Sequence, residues 1–339
     1  LPGGPPMNPV IVAELSANAA VGNLDMALRT VEAAKKSGAD AIKLQTWTPG
    51  TMAIDGNYRI QHGAWKGKQL ASLYQEAHTP WEWHKPLFER ARELGMLAFS
   101  TPFDKRAVDF LQILDCSHYK VASFEITDLP LIRYIASTNK PIIISTGMAT
   151  SEEIRHAVEA ARFRTNLDVT LLKCTSAYPA PAEEANLRAM TQPAWYLKTA
   201  FGLSDHTATD GAACVAAHMG ATMIEKHFTL SRLNGGPDAN FSLEPPAFAR
   251  FVANVKAAAV AGGRIAYGPS ESESTELRRG AYWAQDLPIG HVVTEQDLVT
   301  ARPETALSIR EFETKVVGHE LTAAVKAKTA IHLGVVGAL

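Results

Sequence analysis

Ala200-Phe201-Gly202-Leu203-Ser204-Asp205-His206-Thr207 is followed, after a helical stretch, by Ala221-Thr222-Met223-Ile224-Glu225-Lys226-His227-Phe228. Each segment is a short apolar run that leads into a histidine. Residues 200–204 and 222–225 read as buried strands, and Asp210 to Met219 between them reads as a helix. A strand, a helix and a second strand make a unit whose strands lie parallel, about 5 Å apart when adjacent. His206 and His227 then stand side by side at one end of a sheet, spaced to hold a single divalent metal. That arrangement points to an enzyme.

The same alternation runs through the first 260 residues. Further β-rich apolar runs lie at Val10-Ala13, Ala41-Leu44, Leu97-Ser100, Tyr119-Ala122, Pro141-Ser145 and Val169-Lys173. Helical patterns separate them, from Asn23-Ser37 to Pro246-Ala261. Eight strands, each followed by a helix, predict a (β/α)8 TIM barrel over residues 9–262. Ser151, followed by Glu152 and Glu153, reads as the hydroxyl cap of one helix, with acids where the macrodipole favours them. Gly38 and Gly95 read as helix closures.

Residues 1–8 read as a leader, with Leu1–Pro6 flexible and Met7 a plausible start. Residues 263–279, rich in glycine, serine and glutamate, read as a linker. Short β-like pieces such as Leu287-Pro288-Ile289-Gly290 and Val292-Val293-Thr294 predict a small domain over 280–339. A unit of that size has a limited core and is expected to lean on a neighbour. One connection, Thr46 to Thr79, is long and carries Trp47, Tyr58, Trp65 and Tyr74. It reads as a lid or substrate wall, the alternative being an excursion packed on the barrel flank.

Composition excludes several classes. The 339 residues are 46% apolar with a net charge of −2, and lysine and arginine are scattered. No basic stripe suggests nucleic acid, and no apolar run is long enough for a membrane span. The 3 cysteines, Cys116, Cys174 and Cys214, lack metal-finger spacing. Their sparse, odd number fits a reducing cytoplasm, and each reads as a small buried hydrophobe.

Catalysis in such a barrel occurs at the C-terminal strand ends. Those ends carry Glu14, Asn18, Lys43, Gln45, Thr101, Lys120, Ser123, Glu125, Ser145, Ser176, Tyr178, Ser204, His206, Glu225 and His227. Lys43 and Lys120 follow apolar runs, where an unpaired ammonium is costly. An anion bearing phosphate and carboxylate would satisfy both, with Ser123, Ser145, Ser176 and Ser204 adding hydrogen bonds. Gly147 allows backbone to approach that anion. Glu14 and Glu225 are candidate acid/base or hydroxyl-holding carboxylates. Two histidine ligands without a thiolate suit a borderline divalent ion whose shell is completed by water and substrate oxygens.

Several stretches together resemble the sialic acid synthase family, most closely its pseudaminic acid branch. They include Ala13-Glu14-Leu15-Ser16-Ala17-Asn18, Ala39-Asp40-Ala41-Ile42-Lys43-Leu44-Gln45-Thr46, Phe99-Ser100-Thr101-Pro102-Phe103-Asp104 and Tyr119-Lys120-Val121-Ala122-Ser123-Phe124-Glu125. Ser145-Thr146-Gly147-Met148, Lys173-Cys174-Thr175-Ser176-Ala177-Tyr178-Pro179 and Gly235-Gly236-Pro237-Asp238 continue the set, with the two histidine segments. The tail resembles the family's antifreeze-like (SAF) domain, in which Arg302-Pro303 matches a substrate-reaching arginine.

The resemblance implies condensation of phosphoenolpyruvate with an N-acylated deoxy amino sugar, of the 2,4-diacetamido-2,4,6-trideoxy-altrose type, giving a nine-carbon acid and phosphate with C–O cleavage. It implies Mn2+ or Mg2+ on His206 and His227. Lys43, Thr101, Lys120, Ser123, Ser145, Ser176 and Ser204 would hold phosphoenolpyruvate. Asn18, Gln45, Tyr178, Asp238 and Arg302 would hold the sugar, and Glu14, Glu125 and Glu225 would be catalytic. It also implies a domain-swapped homodimer in which Arg302 acts on the partner's site. Two departures stand out. Ala19-Ala20-Val21-Gly22-Asn23 lacks the histidine usual after Asn18, beside the first strand end, where a side chain is expected to touch substrate. Lys326-Ala327-Lys328-Thr329 lacks the glycine usual in that turn. A synthase acting on another sugar, as for N-acetylneuraminate or legionaminate, and a catalytically silent sugar-binding barrel are the rival readings.

Overall fold

The computed structural model describes residues 8–53, 57–163, 167–262 and 272–337. Most of the expected leader and the first part of the expected linker lie outside the described residues. The chain divides into two compact units, Leu1–Gly263 and Arg264–Leu339.

The first unit is a closed barrel of eight parallel strands in chain order. They are β1 (Val10–Glu14), β2 (Ala41–Thr46), β3 (Leu97–Pro102), β4 (Tyr119–Val121), β5 (Ile142–Ser145), β6 (Val169–Cys174), β7 (Ala200–Asp205) and β8 (Met223–His227). The strands read as continuous apolar runs because helices cover one face and the barrel interior the other. Ile11, Ile42, Phe99, Ile144 and Ile224 are fully buried in one continuous core with helix residues such as Val31, Leu87 and Phe251. Their burial supplies the main driving force for closure.

Closure between β7 and β8 depends on Gly202. A Cβ there would lie 2.2 Å from the Met223 carbonyl oxygen, so only glycine lets these backbones meet. Their register pairs Ser204 with Glu225 and Asp205 with Lys226. The next step along both chains brings His206 opposite His227.

The helices follow local chemistry. Asn23, Asp104 and Asp128 each accept a hydrogen bond from a backbone N–H of the first turn. The expected cap at Ser151 is displaced by one residue. Thr150 is the N-cap and closes a capping box with Glu153, while Ser151 is already helical, because Glu153 stands three residues after Thr150 and not after Ser151.

The long connection after β2 is partly structured. It holds helices Pro49–Met52 and Leu70–Ala77 and an antiparallel bridge between Arg59 and Gln69. The second unit pairs β9 (Gly280–Trp283) with β10 (Leu298–Ala301) in antiparallel fashion. Its core gathers Trp283 and Phe312 with Leu287, Val293, Leu321 and Ile331.

Candidate active site

The barrel's interior at the C-terminal strand ends opens into a cavity of about 430 Å³. Its floor is a buried network of charge. Lys43 Nζ lies 3.0 Å from Glu14 and 3.3 Å from Glu225, and Lys120 Nζ lies 3.5 Å from the second Glu225 oxygen. Gln45 donates to Glu14 at 3.2 Å, and Ser204 donates to Glu225 at 2.9 Å. The two lysines, expected to need an external anion, therefore already have carboxylate partners.

The two carboxylates differ in character. Burial pushes Glu14 up to about 7 against the pull of Lys43, and the neighbouring Glu225 charge adds to the rise. Burial also works to raise Glu225, but Lys120 and Lys43 together hold it well below the ordinary range. One group stands near neutrality and the other stays ionised, a division suited to proton transfer beside a fixed charge. A third carboxyl, Glu125, is raised to about 7 by burial and by Asp128.

Beside the network lies a set of hydroxyls. Ser123 accepts the Gly147 backbone N–H at 3.1 Å. A Cβ at Gly147 would lie 2.4 Å from the Ser176 hydroxyl and 2.7 Å from that of Ser123, so glycine keeps both oxygens close to backbone. The Ser145 and Ser176 hydroxyls are buried without partners among the described residues, and both residues line the cavity. Unpaired buried hydroxyls are costly unless a ligand completes them. With the nearby lysines they form a cradle for an oxyanion.

His206 and His227 line the same cavity with ring centroids 5.3 Å apart. His206 Nδ1 meets the Thr175 carbonyl oxygen at 2.8 Å, which places a proton there and makes Nε2 the nitrogen that could bind a metal. Burial opposes charge on His206, but the Cys174 thiol and the Thr175 carbonyl outweigh it and hold the imidazole above its usual range. Burial, with His206 and Lys43 nearby, holds His227 well below its usual range, and its Nδ1 is buried without a hydrogen bond among the described residues. A neutral imidazole with a free nitrogen beside a second, oriented imidazole fits a divalent ion. Among the described residues no group of three or more His, Cys, Asp and Glu forms a protein-only metal site. Oxygens from water and substrate would complete the shell.

Rings surround the pair. Tyr178 lies 4.3 Å from His206 between centroids, and Phe241 lies 5.0 Å from His227. Trp65, from the long connection, packs on Tyr178 at 5.1 Å and donates its indole N–H to the Pro237 carbonyl. The connection is thus a cavity wall and not a flank excursion. Asp238 lines the cavity but is engaged by the Ser16 hydroxyl at 2.6 Å, with an oxygen 3.8 Å from His227.

Some expected site residues are not part of the cavity lining. Asn18 is not on the cavity surface: its amide donates to the Phe228 carbonyl at 3.0 Å and to Ser242 at 2.8 Å, tying the turn after β1 to the chain after β8. Thr101 is fully buried and also absent from the lining. Ala19, expected to touch substrate, is fully buried in the barrel core, because the 3-10 turn Ser16–Ala20 carries it inward. Arg302 belongs to the second unit, where it is exposed.

Cys174 is the converse case, read from sequence as a bland hydrophobe. It lines the cavity, 3.8 Å from His206 Nδ1. Burial works to raise its thiol, yet His206, aided by Ser123 and Lys120, brings it down to about 6. Its place directly before the strand-end residues Thr175 and Ser176 was the available signal.

Titratable groups, hydroxyls and paired imidazoles converge where a (β/α)8 barrel carries its chemistry, and this makes the cavity that of an enzyme. The NeuB family model matches residues 30–267, and the chain belongs to that family, the sialic acid synthases. The pseudaminic acid synthase of Helicobacter pylori is 40% identical over 331 residues, 95% of this chain and 96% of its own length. The N,N'-diacetyllegionaminic acid synthase of Legionella pneumophila is 33% identical over 340 residues, covering 97% and 95%. Among solved structures, the N-acetylneuraminic acid (sialic acid) synthetase of Leptospira borgpetersenii superposes with a TM-score of 0.70 at 28% identity, covering 80% of this chain and 90% of that one.

Proposed function

We propose that the chain is a pseudaminic acid synthase, which condenses phosphoenolpyruvate with an N-acylated deoxy amino sugar in its open aldehyde form. One observation carries the reading: Lys43 and Lys120, the Ser145 and Ser176 hydroxyls, unpartnered among the described residues, and the His206–His227 pair all line one cavity. Similarity favours this sugar class over the legionaminic one, at 40% identity against 33%.

Lys43, Lys120, Ser123, Ser145 and Ser176 hold the phosphate and carboxylate of phosphoenolpyruvate over the barrel floor. Mn2+ or Mg2+ held by His206 and His227 would supply Lewis-acid polarisation of the sugar aldehyde. The enol carbon forms a bond to the aldehyde carbon, water adds to the carbon bearing the phosphate ester, and that C–O bond breaks to release phosphate. Glu14, near neutrality, exchanges the protons that the new hydroxyl gains and the water loses. Glu225, fixed as an anion, steadies positive charge on the enol-ether carbon. The site works in the cytoplasm, where phosphoenolpyruvate is available. The second unit is an antifreeze-like domain that places Arg302 over the partner's site in a swapped homodimer.

Phosphate release with a panel of amino sugars, with and without manganese, tests the proposal. Turnover is expected with the diacetamido altrose sugar and metal, and weaker turnover with N-acetylmannosamine. Preference for the legionaminic acid precursor would transfer the chain to the neighbouring branch. Binding of sugars without phosphate release would identify a silent barrel.

A further inference from the structure

The cavity has a second, apolar face that the reaction above leaves unused. Trp47 and Ala77 are buried there with Ala17, and Met52, Tyr74 and Phe103 pack against them. All six line the cavity. Trp47 meets Phe103 edge-on at 5.1 Å and Tyr74 at 6.0 Å between centroids. The order of the closed barrel sets β3 across from β7 and β4 across from β8. Phe103, just after β3, and Glu125, just after β4, therefore stand across the mouth from His206 and His227.

Two polar atoms in this region lack partners among the described residues: the Trp47 indole N–H and one oxygen of Glu125. Tyr74 connects them in space, since it packs on Trp47 and its phenol is raised by burial and by the charge of Glu125. A buried donor and a buried acceptor, each unsatisfied, cost on the order of 1–3 kcal/mol apiece. A ligand that supplies both partners recovers this cost. A secondary amide does so: its carbonyl takes the indole proton, its N–H faces the carboxyl, and its methyl meets the apolar side chains. A phosphate or carboxylate at this face would oppose Glu125, and an alkyl group would leave both polar atoms unpaired.

We propose that this face is the subsite for an N-acylamino group of the sugar, borne on a carbon remote from the aldehyde. Trp47 donates to the acyl oxygen, Glu125 accepts the amide N–H, and Met52, Tyr74 and Phe103 hold the methyl group. The remote position follows from the geometry, because the aldehyde end belongs to the histidines across the mouth. The inference rests on the synthase reading and makes Trp47 a specificity residue for it.

The test compares two sugars, one with both acylamino groups and one with a hydroxyl replacing the remote group, in the unmodified protein and in Trp47→Phe. Phenylalanine keeps a ring in the cluster and removes the N–H. The variant is expected to raise KM for the doubly acylated sugar about tenfold and KM for the hydroxyl analogue by less than about twofold, with KM for phosphoenolpyruvate unchanged. Equal losses on both sugars, or no loss on either, would overturn the inference while leaving the synthase reading intact. If the variant fails to fold, the unmodified protein still decides: it should prefer the doubly acylated sugar by at least about 100-fold in kcat/KM, and equal kcat/KM values overturn the subsite. Absence of phosphate release by the unmodified protein with every N-acylated sugar would overturn both readings.

Discussion

Glu14 and Glu225 share one ammonium: Lys43 Nζ lies 3.0 Å from the first and 3.3 Å from the second, with all three side chains almost wholly buried. The shared cation lets two carboxyl groups coexist in one cavity, and Lys120, paired with Glu225, holds that carboxylate further down than Glu14. Burial of three ionisable groups is costly and tolerable only because each has a partner.

Removing that cation should be expensive. Lys43→Met leaves two buried carboxylates to repel one another, and Glu14 then takes up a proton at higher pH. The expected loss of stability is about 3 kcal/mol, the lower end for breaking a buried pair, because Lys120 still pairs with Glu225. Urea unfolding of the two proteins measures it. A change below about 1 kcal/mol would mean that the network is not dry.

The histidine pair makes a separable prediction. His206→Ala should weaken manganese binding at least about tenfold, read by electron paramagnetic resonance of free Mn2+ and without any turnover assay. Unchanged affinity would remove His206 from the metal site.

Glu125 gives a signed pH dependence. Its folded-state value of about 7 exceeds the ordinary 4.5, so the folded protein holds a proton that the unfolded chain releases in that interval. Its contribution is full below pH 4.5 and is lost as pH rises toward 7. Relative to the unmodified protein, Glu125→Gln should therefore gain stability across this window, by roughly 3 kcal/mol in total, and gain nothing further above it. Paired unfolding curves at stepped pH read the difference. A flat difference would show that Glu125 is not shifted.

The turn at Lys328 tests a departure seen in the sequence. Lys328 adopts φ 63°, the left-handed region that favours glycine, within the turn Lys326-Ala327-Lys328-Thr329, which has none. A side chain there costs roughly 1–2 kcal/mol, against about 0.5–1 kcal/mol for the greater chain entropy of glycine. Lys328→Gly should stabilise the second unit by about 0.5–1 kcal/mol, measured by thermal unfolding. Destabilisation would show that the lysine side chain has a role the turn alone does not explain.

The barrel was legible in the sequence because strands buried on both faces leave uninterrupted apolar runs such as Ile142–Ser145, and the residues that follow them mark the chemical end. His206 and His227 could be placed together from strand spacing alone. Side-chain direction was less accessible. Asn18 and Thr101 follow or end strands as Gln45 and Ser145 do, yet Asn18 spends its amide on the Phe228 carbonyl and Ser242, and Thr101, paired with Gln45 in the register, is buried without lining the cavity. Ala19 looked exposed to substrate for the same reason. Trp47 and Trp65 belong to a connection without clear periodicity, so their place on the cavity wall is a tertiary property. Cys174 reads in sequence as any buried thiol, and only the fold sets His206 beside it.

Phosphoenolpyruvate labelled with 18O at the bridging ester oxygen tests the central claim most directly, that one cavity joins the enol ester to a metal-polarised aldehyde and breaks the C–O bond. The account predicts label in inorganic phosphate, released only when both the diacetamido sugar and a divalent ion are present. Label retained in the organic product, or phosphate released without sugar, would contradict it.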